Sequence, residues 1–381
     1  MRPDRVSIAA TWFQEKFSGK VLYAVKANPS PWALDAVYAA GLRWFDVASE
    51  AEVQLIASRY PDAKLAFMHP VKSRKAIERS YFDHGVRIFA LDCEAELEKI
   101  VAATGGAKDL TLVVRLAVSN ADAGYALTGK FGIEEDVAPA LLSKARRFAD
   151  ELGVSFHVGS QCMSPSAYRD AMELASRVIK QAGVTVDVVD VGGGFPSAYP
   201  GMTPPDLTLY MNVIREAFED MPVLMNADLW CEPGRALVAE STSIVARVEL
   251  VKDGCLHIND GSYGNLFDAA HCKWPFPVKA LRADGDFAGE PQGWKLYGPT
   301  CDSLDTMEGP YDLPSDIREG DYIELGMLGA YGVAMTTRFN GFGDTEEAEV
   351  KDAPWTSMYG PIAKPVKSGK VVAFRRRKSA R

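Results

Sequence analysis

The chain has 381 residues, 47% hydrophobic and 24% charged, an ordinary globular composition that argues against a disordered, collagen-like or coiled-coil protein. Its formal net charge of −9 repels nucleic acid, and its longest apolar runs fall short of the roughly 20 residues a membrane helix needs. No signal-like apolar core follows Met1-Arg2-Pro3-Asp4, and Cys93, Cys162, Cys231, Cys255, Cys272 and Cys301 form no CxxC pair, so reduced thiols in a cytoplasmic protein are expected.

In chain order, strand-like apolar runs fall at residues 21–26, 43–48, 64–69, 88–92, 111–117, 155–159, 187–192 and 229–232. Helical spacing of apolar residues fills 50–59, 74–84, 94–103, 134–152, 166–182 and 207–219. Strands that read as continuous apolar runs are buried on both faces, as in parallel sheets. Eight such units fit a (β/α)8 TIM barrel. A doubly wound sheet is the alternative, but its GxGxxG fingerprint is absent after the first strand. Beyond Arg235 the texture changes. Residues 242–252, 255–259 and 321–325 alternate apolar and polar side chains, which predicts an all-β antiparallel barrel or sandwich. The expected division is a barrel over 20–238 and a β-domain over 239–381, with residues 1–19 packed near the latter. The only charge run, Arg375-Arg376-Arg377-Lys378, reads as a solvated tail.

Several strand ends carry chemistry. The first ends YAVKANP, and a partly desolvated Lys26 at a barrel's C-terminal face loses its proton readily and can form a Schiff base. The sixth ends FHVGSQ, where a flat imidazole from His157 can stack on an aromatic cofactor and Ser160 can donate to a phosphate. No HxH or HExxH partner exists for His157, so no metal is expected. The seventh ends DVGGGFP, whose glycines allow a nest of backbone N–H groups, and the eighth ends EPGR, adding Gly234 and a cation. Lysine, glycine nest, histidine and a carboxylate for a ring nitrogen together describe a pyridoxal 5′-phosphate site.

The motifs YAVKANP, FDVASEAE, VVRLA, FHVGSQC, DVGGGFP, CEPGR, NDGSYGNLFDAAH, YGPTCDSLD and GAYG run in order through residues 23–332. In this set the chain resembles the fold-type III pyridoxal-phosphate-dependent amino-acid decarboxylases, with the ornithine decarboxylase pattern nearest. The resemblance implies that Lys26 holds the cofactor, with Asp46 and Glu52 as polar support and Arg115 orienting them. It places His157 against the ring, Glu232 on its nitrogen, and Ser160, Gly193, Gly194, Gly234, Arg235 and Tyr331 around the phosphate. It further implies a homodimer with shared sites, in which Cys301 and Asp302 come from the partner subunit and Asp268 faces the substrate's far end. A carboxylate at the ring nitrogen keeps it protonated and favours decarboxylation over racemisation. A thiol of ordinary pKa suits proton delivery to Cα.

Two carboxylates facing a distal ammonium suit ornithine, giving putrescine for polyamine synthesis, with lysine, arginine and diaminopimelate as alternatives. A non-enzyme alternative is a catalytically dead, antizyme-inhibitor-like regulator, although such homologues lose residues this chain keeps. Two features depart from the family pattern. Only about twenty residues precede VLYAVK, so either the β-domain lacks a strand or the chain has been shortened. Phe267 stands where ornithine decarboxylases often carry Tyr.

Overall fold

The computed structural model describes residues 1–127 and 129–360. The basic run at 375–378 lies outside them. Helix α1 (Pro3–Lys16) precedes a closed barrel of eight parallel strands. These are β1 (Lys20–Ala24), β2 (Trp44–Val47), β3 (Lys64–Phe67), β4 (Ile88–Leu91), β5 (Thr111–Arg115), β6 (Glu151–Ser155), β7 (Val188–Asp190) and β8 (Asp228–Cys231). Six of the connections carry the predicted helical segments, with α-helices at Glu50–Arg59, Arg74–Phe82, Glu94–Ala103, Ala138–Arg146, Ser166–Ala182 and Leu207–Glu219.

Strand residues are buried on both faces, which is why the strands read as unbroken apolar runs. On one face Leu22, Ala66, Ile88, Ala90, Val113, Val188 and Trp230 pack together inside the barrel. On the other, Val21, Tyr23, Phe45 and Phe89 pack with the surrounding helices. The register aligns Ala24 with Asp46, Arg115 with Ser155, and Asp190 with both Ser155 and Trp230. The C-terminal ends of the strands therefore present their polar residues at one mouth.

The sixth strand is displaced from its expected place. It spans Glu151–Ser155, and the preceding helix ends at Arg146. Leu152-Gly153 looks like a helix end in sequence, but Gly153 lies in the barrel wall. A Cβ there would stand 3.1 Å from that of Val188 and 3.2 Å from Val113, so the close packing of neighbouring strands selects glycine. His157 consequently sits on the mouth loop rather than on a strand end, and Ser160 opens a short strand, Ser160–Cys162, that pairs with Ala123–Tyr125.

After β8 the chain builds a six-stranded sheet. Its strands are β9 (Ile244–Lys252), β10 (Cys255–Ile258), β11 (Val278–Leu281), β12 (Pro291–Tyr297), β13 (Thr306–Pro314) and β14 (Tyr322–Leu325), in the order β11-β14-β9-β10-β12-β13. The sheet is mixed rather than wholly antiparallel, because β10 and β12 run parallel. The intervening segment contains a short helix, Phe267–His271, and β11, so the chain returns to the edge of β10 in the same direction. The N-terminus is tied to this region, with Arg2 donating to Ser243 and to both carboxylate oxygens of Asp352.

Candidate active site

Lys26 stands in a single 3-10 turn, Val25–Ala27, immediately beyond β1. Its Nζ donates to Oδ2 of Asp46 at 2.5 Å, and Asp46 is only 1% exposed. Burial pushes the Lys26 ammonium down, but Asp46, with Glu232 and Tyr331 behind it, more than offsets this and holds it above the ordinary lysine value. The free chain thus keeps Lys26 protonated, which corrects the expectation of a readily deprotonated lysine: the adjacent carboxylate outweighs desolvation. Glu52 serves the same corner. It accepts from the Ala48 N–H at 2.7 Å while Ser49 accepts from the Glu52 N–H, fixing the start of the helix that follows Asp46.

Glu232 lies one residue beyond β8 and is 8% exposed. Burial raises its carboxyl well above the usual range, and the neighbouring carboxylates of Asp190 and Asp46 raise it further. Raised in this way, the Glu232 carboxyl shares a hydrogen bond with Asp190, and among the described residues buried Asp46 Oδ1 has no hydrogen-bond partner. Such a crowded group of carboxyls favours an arriving cation or N–H donor. His157 accepts the Gly159 N–H at Nδ1, 3.0 Å, which leaves Nε2 carrying the proton of the neutral ring. Burial, then Arg115 and Lys26, lower its pKa well below the imidazole range. Arg115 ends β5, and its guanidinium lies 5.8 Å from the Phe131 ring centroid.

The glycine run after β7 forms the opposite side. A Cβ on Gly193 would stand 2.8 Å from the Glu232 carbonyl oxygen and 3.0 Å from His157 Nε2, so only glycine lets these loops meet. Among the described residues, the amides of Gly193, Gly194 and Gly234 find no acceptor in the chain. Arg235 approaches Ser160 Oγ at 3.4 and 3.5 Å and donates to the Tyr199 hydroxyl at 3.1 Å. Tyr331 is anchored by its N–H to the Ala27 carbonyl at 2.9 Å, and its ring lies 4.9 Å from the Arg235 guanidinium.

The remaining expected residues separate into two places. Asp268, next to Phe267, lies 3.0 Å from Arg235 Nη1, so within one chain it faces the arginine. Cys301 is exposed, and Asp302 accepts from the Tyr263 hydroxyl and the Leu304 N–H. These contacts, the backbone N–H first, hold the Asp302 carboxyl below the usual range. Buried Asp305 fastens this turn to the Tyr263 loop by accepting from the N–H groups of Ser262 at 2.7 Å and Thr300 at 3.0 Å. Among the described residues, no hydrogen bond or ion pair joins Cys301 or Asp302 to Lys26, Glu232 or His157. A cavity of about 630 Å³ beside this turn takes in Asn28, Tyr263 and Thr300 but none of Lys26, His157 and Glu232. A smaller one of about 370 Å³ is lined by Arg115, Phe131 and His157. Tyr263 and Asp190 lie inside motifs quoted above, and their placement is the added information. Tyr199 and Trp274 carry no motif signal.

Residues 4–239 match the family model described as the pyridoxal binding domain of pyridoxal-dependent decarboxylases. The chain belongs to this family. It is 32% identical over 358 residues to an ornithine decarboxylase of Caenorhabditis elegans, covering 87% of this chain and 81% of that one. It is 30% identical over 331 residues to a lysine/ornithine decarboxylase of Selenomonas ruminantium, covering 84% and 81%. Among solved structures, the arginine decarboxylase of Paramecium bursaria Chlorella virus bound to agmatine superposes with a TM-score of 0.80 at 28% identity, covering 90% of this chain and 92% of that one. The relatives act on basic amino acids, and pyridoxal phosphate is the cofactor of this decarboxylase. The site fits it. Unpartnered amides and an arginine suit a phosphate, crowded carboxyls suit a protonated ring nitrogen, and a lysine stands beside the carboxyl of Asp46.

Proposed function

We propose that this decarboxylase converts L-ornithine to putrescine in a homodimer whose two active sites each draw on both chains. The observation that carries the reading is the Cys301–Asp302 turn. It presents a thiol beside an ionised carboxylate, on an outward face not bonded to the lysine site of its own chain. In this reading the barrel of one chain, ending near residue 238, receives the turn of the partner's β-domain.

Lys26 is the attachment point for the cofactor aldehyde, with Asp46 and Glu52 fixing it and Arg115 orienting these groups. His157 lies against the ring, and Glu232 bonds its nitrogen. Gly193, Gly194, Gly234, Ser160, Arg235 and Tyr331 hold the phosphate. When bound there, the cofactor would supply an electron sink for the pair left when the bond from Cα to the carboxylate breaks. The Cys301 thiol then supplies the proton that Cα needs. Asp302 takes the distal ammonium, and Asp268 adds a second carboxylate toward that end, which suits a diamino acid such as ornithine.

The test is CO2 release from ornithine, lysine, arginine and meso-diaminopimelate with the cofactor present. Ornithine is expected to give the highest kcat/KM, and a preference for any of the other three would overturn the substrate assignment. Asp302→Ala should lower kcat/KM for ornithine by about 10- to 150-fold, as for a lost charge-assisted hydrogen bond, and far less for norvaline. Equal losses with an intact fold would remove Asp302 from substrate recognition.

A further inference from the structure

We infer that Trp274 is a positioning residue for the cofactor phosphate: it reaches from the segment beyond the barrel and fixes the Arg235 guanidinium by its ring face. The inference rests on Arg235 being a phosphate ligand, as proposed above.

Arg235 is buried at the end of the barrel, yet few of its hydrogen bonds are good ones. Among the described residues, only Tyr199 accepts from it at a normal distance, 3.1 Å. The two Ser160 contacts lie at 3.4 and 3.5 Å, the outer edge of hydrogen bonding. Asp268 Oδ2 is 3.0 Å from Nη1 but makes no well-aimed hydrogen bond. What encloses the guanidinium is aromatic. Its centre lies 4.2 Å from the Trp274 ring centroid, 4.9 Å from that of Tyr331 and 6.0 Å from that of Tyr199. A guanidinium packed over aromatic rings, with few well-made hydrogen bonds, has N–H donors left for a ligand, and an anion is the ligand those donors suit.

Trp274 is itself well fixed. It is 5% exposed, and its N–H donates to the Asp268 carbonyl at 3.2 Å. Its ring lies against Gly124, where a Cβ would approach it to 3.4 Å, and 5.7 Å from the Tyr199 ring. The backbone bond couples it to the short helix carrying Asp268. Trp274, Tyr331 and Asp268 all follow the last barrel strand, so the second part of the chain grips the barrel's arginine from three sides.

The test compares Trp274→Phe and Trp274→Leu in the cofactor-free full chain, each checked for fold by circular dichroism. Both fill the space with apolar atoms, but only phenylalanine offers a ring face. Binding of pyridoxal 5′-phosphate, pyridoxal and inorganic phosphate is measured by absorbance and calorimetry. Trp274→Leu should weaken the phosphate-bearing cofactor and inorganic phosphate by about 2- to 30-fold, leave pyridoxal unchanged, and be largely rescued in Trp274→Phe. Unchanged affinity in Trp274→Leu, or an equal loss for pyridoxal, would overturn the inference. Arg235→Ala separates the two levels. If it retains the wild-type preference for the phosphorylated cofactor, the reading of Arg235 as a phosphate ligand falls, and this inference falls with it. If Arg235→Ala loses that preference and Trp274→Leu keeps it, only the role of Trp274 is refuted.

Discussion

Replacing Asp46 by asparagine should make the free chain capture pyridoxal phosphate faster at a given pH. Condensation with an aldehyde requires the neutral amine of Lys26. An ordinary lysine, with a pKa near 10.4, offers about 0.4% neutral amine at pH 8. In this protein the fraction is smaller, because Asp46 at 2.5 Å more than cancels the effect of burial on Lys26. An opposite charge so close shifts a pKa by about 1–3 units. Lys26 is 40% exposed, so solvent screening places the effect near the low end. Asp46→Asn should therefore raise the capture rate roughly tenfold at pH 8, one pKa unit being a factor of ten. Stopped-flow absorbance between about pH 7.5 and 10 should show both proteins gaining about tenfold per pH unit, with the variant levelling off first. The cost appears in stability. A raised lysine pKa contributes stability that is fully present below the unfolded value and lost as pH rises through the folded one. The variant's urea midpoint should accordingly be lower at neutral pH, and the gap should narrow at high pH. Coincident pH–rate curves, or a uniform slowing with the fold intact, would refute this account of Lys26.

Glu232→Gln should lower kcat for CO2 release by about 100-fold or more, because a neutral amide does not hold a proton on the ring nitrogen; near-wild-type turnover would exclude that role. Mixing inactive Lys26→Ala with inactive Cys301→Ala should restore about a quarter of wild-type activity by forming heterodimers with one intact site, and no recovery despite proven subunit exchange would rule out shared sites. Lys72 is pushed down to about 8 by burial, partly offset by Glu96, while its Nζ also bonds the carbonyls of His69 and Ala90. Its folded pKa lies below the unfolded value, so it costs stability below about pH 8 and the cost is relieved toward pH 10.4, a gain of roughly 3 kcal/mol. Lys72→Met should lack that gain, and urea midpoints of the two proteins that change in parallel between about pH 7.5 and 10 would show that Lys72 does not titrate in this range.

Much of the barrel was legible because strands buried on both faces leave unbroken apolar runs. The helix at Ser166–Ala182 was equally clear from its period and from Gly183, which closes it with φ 62°. The sixth strand was not, since Leu152-Gly153 carries a helix-end signal locally and only the packing against Val113 and Val188 reveals a strand. Lys26, Glu232 and the glycine run were legible as residues because the motifs hold them in order. Their charge states were not. The proton on Lys26 depends on Asp46, twenty positions away and aligned only by strand register. Tyr331 was legible beside Arg235 from its motif, but the rest of the aromatic enclosure was hidden for the same reason: Tyr199 and Trp274 carry no sequence pattern and meet Arg235 only in the fold.

Asp268 and Asp302 show why residue type alone did not assign the substrate pocket. Both were expected to face a distal ammonium. In the single chain the contacts of Asp302 are a hydroxyl and an N–H, which stabilise its ionised form without supplying a countercharge. Asp268 already has a countercharge in Arg235 at 3.0 Å. An ammonium approaching Asp268 adds a second cation beside a buried guanidinium and gains less than it would at an unpaired carboxylate. Arg235, in turn, can turn toward a phosphate only by sharing the attraction of Asp268. In the proposed decarboxylase the two aspartates are therefore unequal. Asp302 bears most of the discrimination between charged and neutral substrate ends, while Asp268 links that pocket to the arginine that Trp274 and Tyr331 enclose.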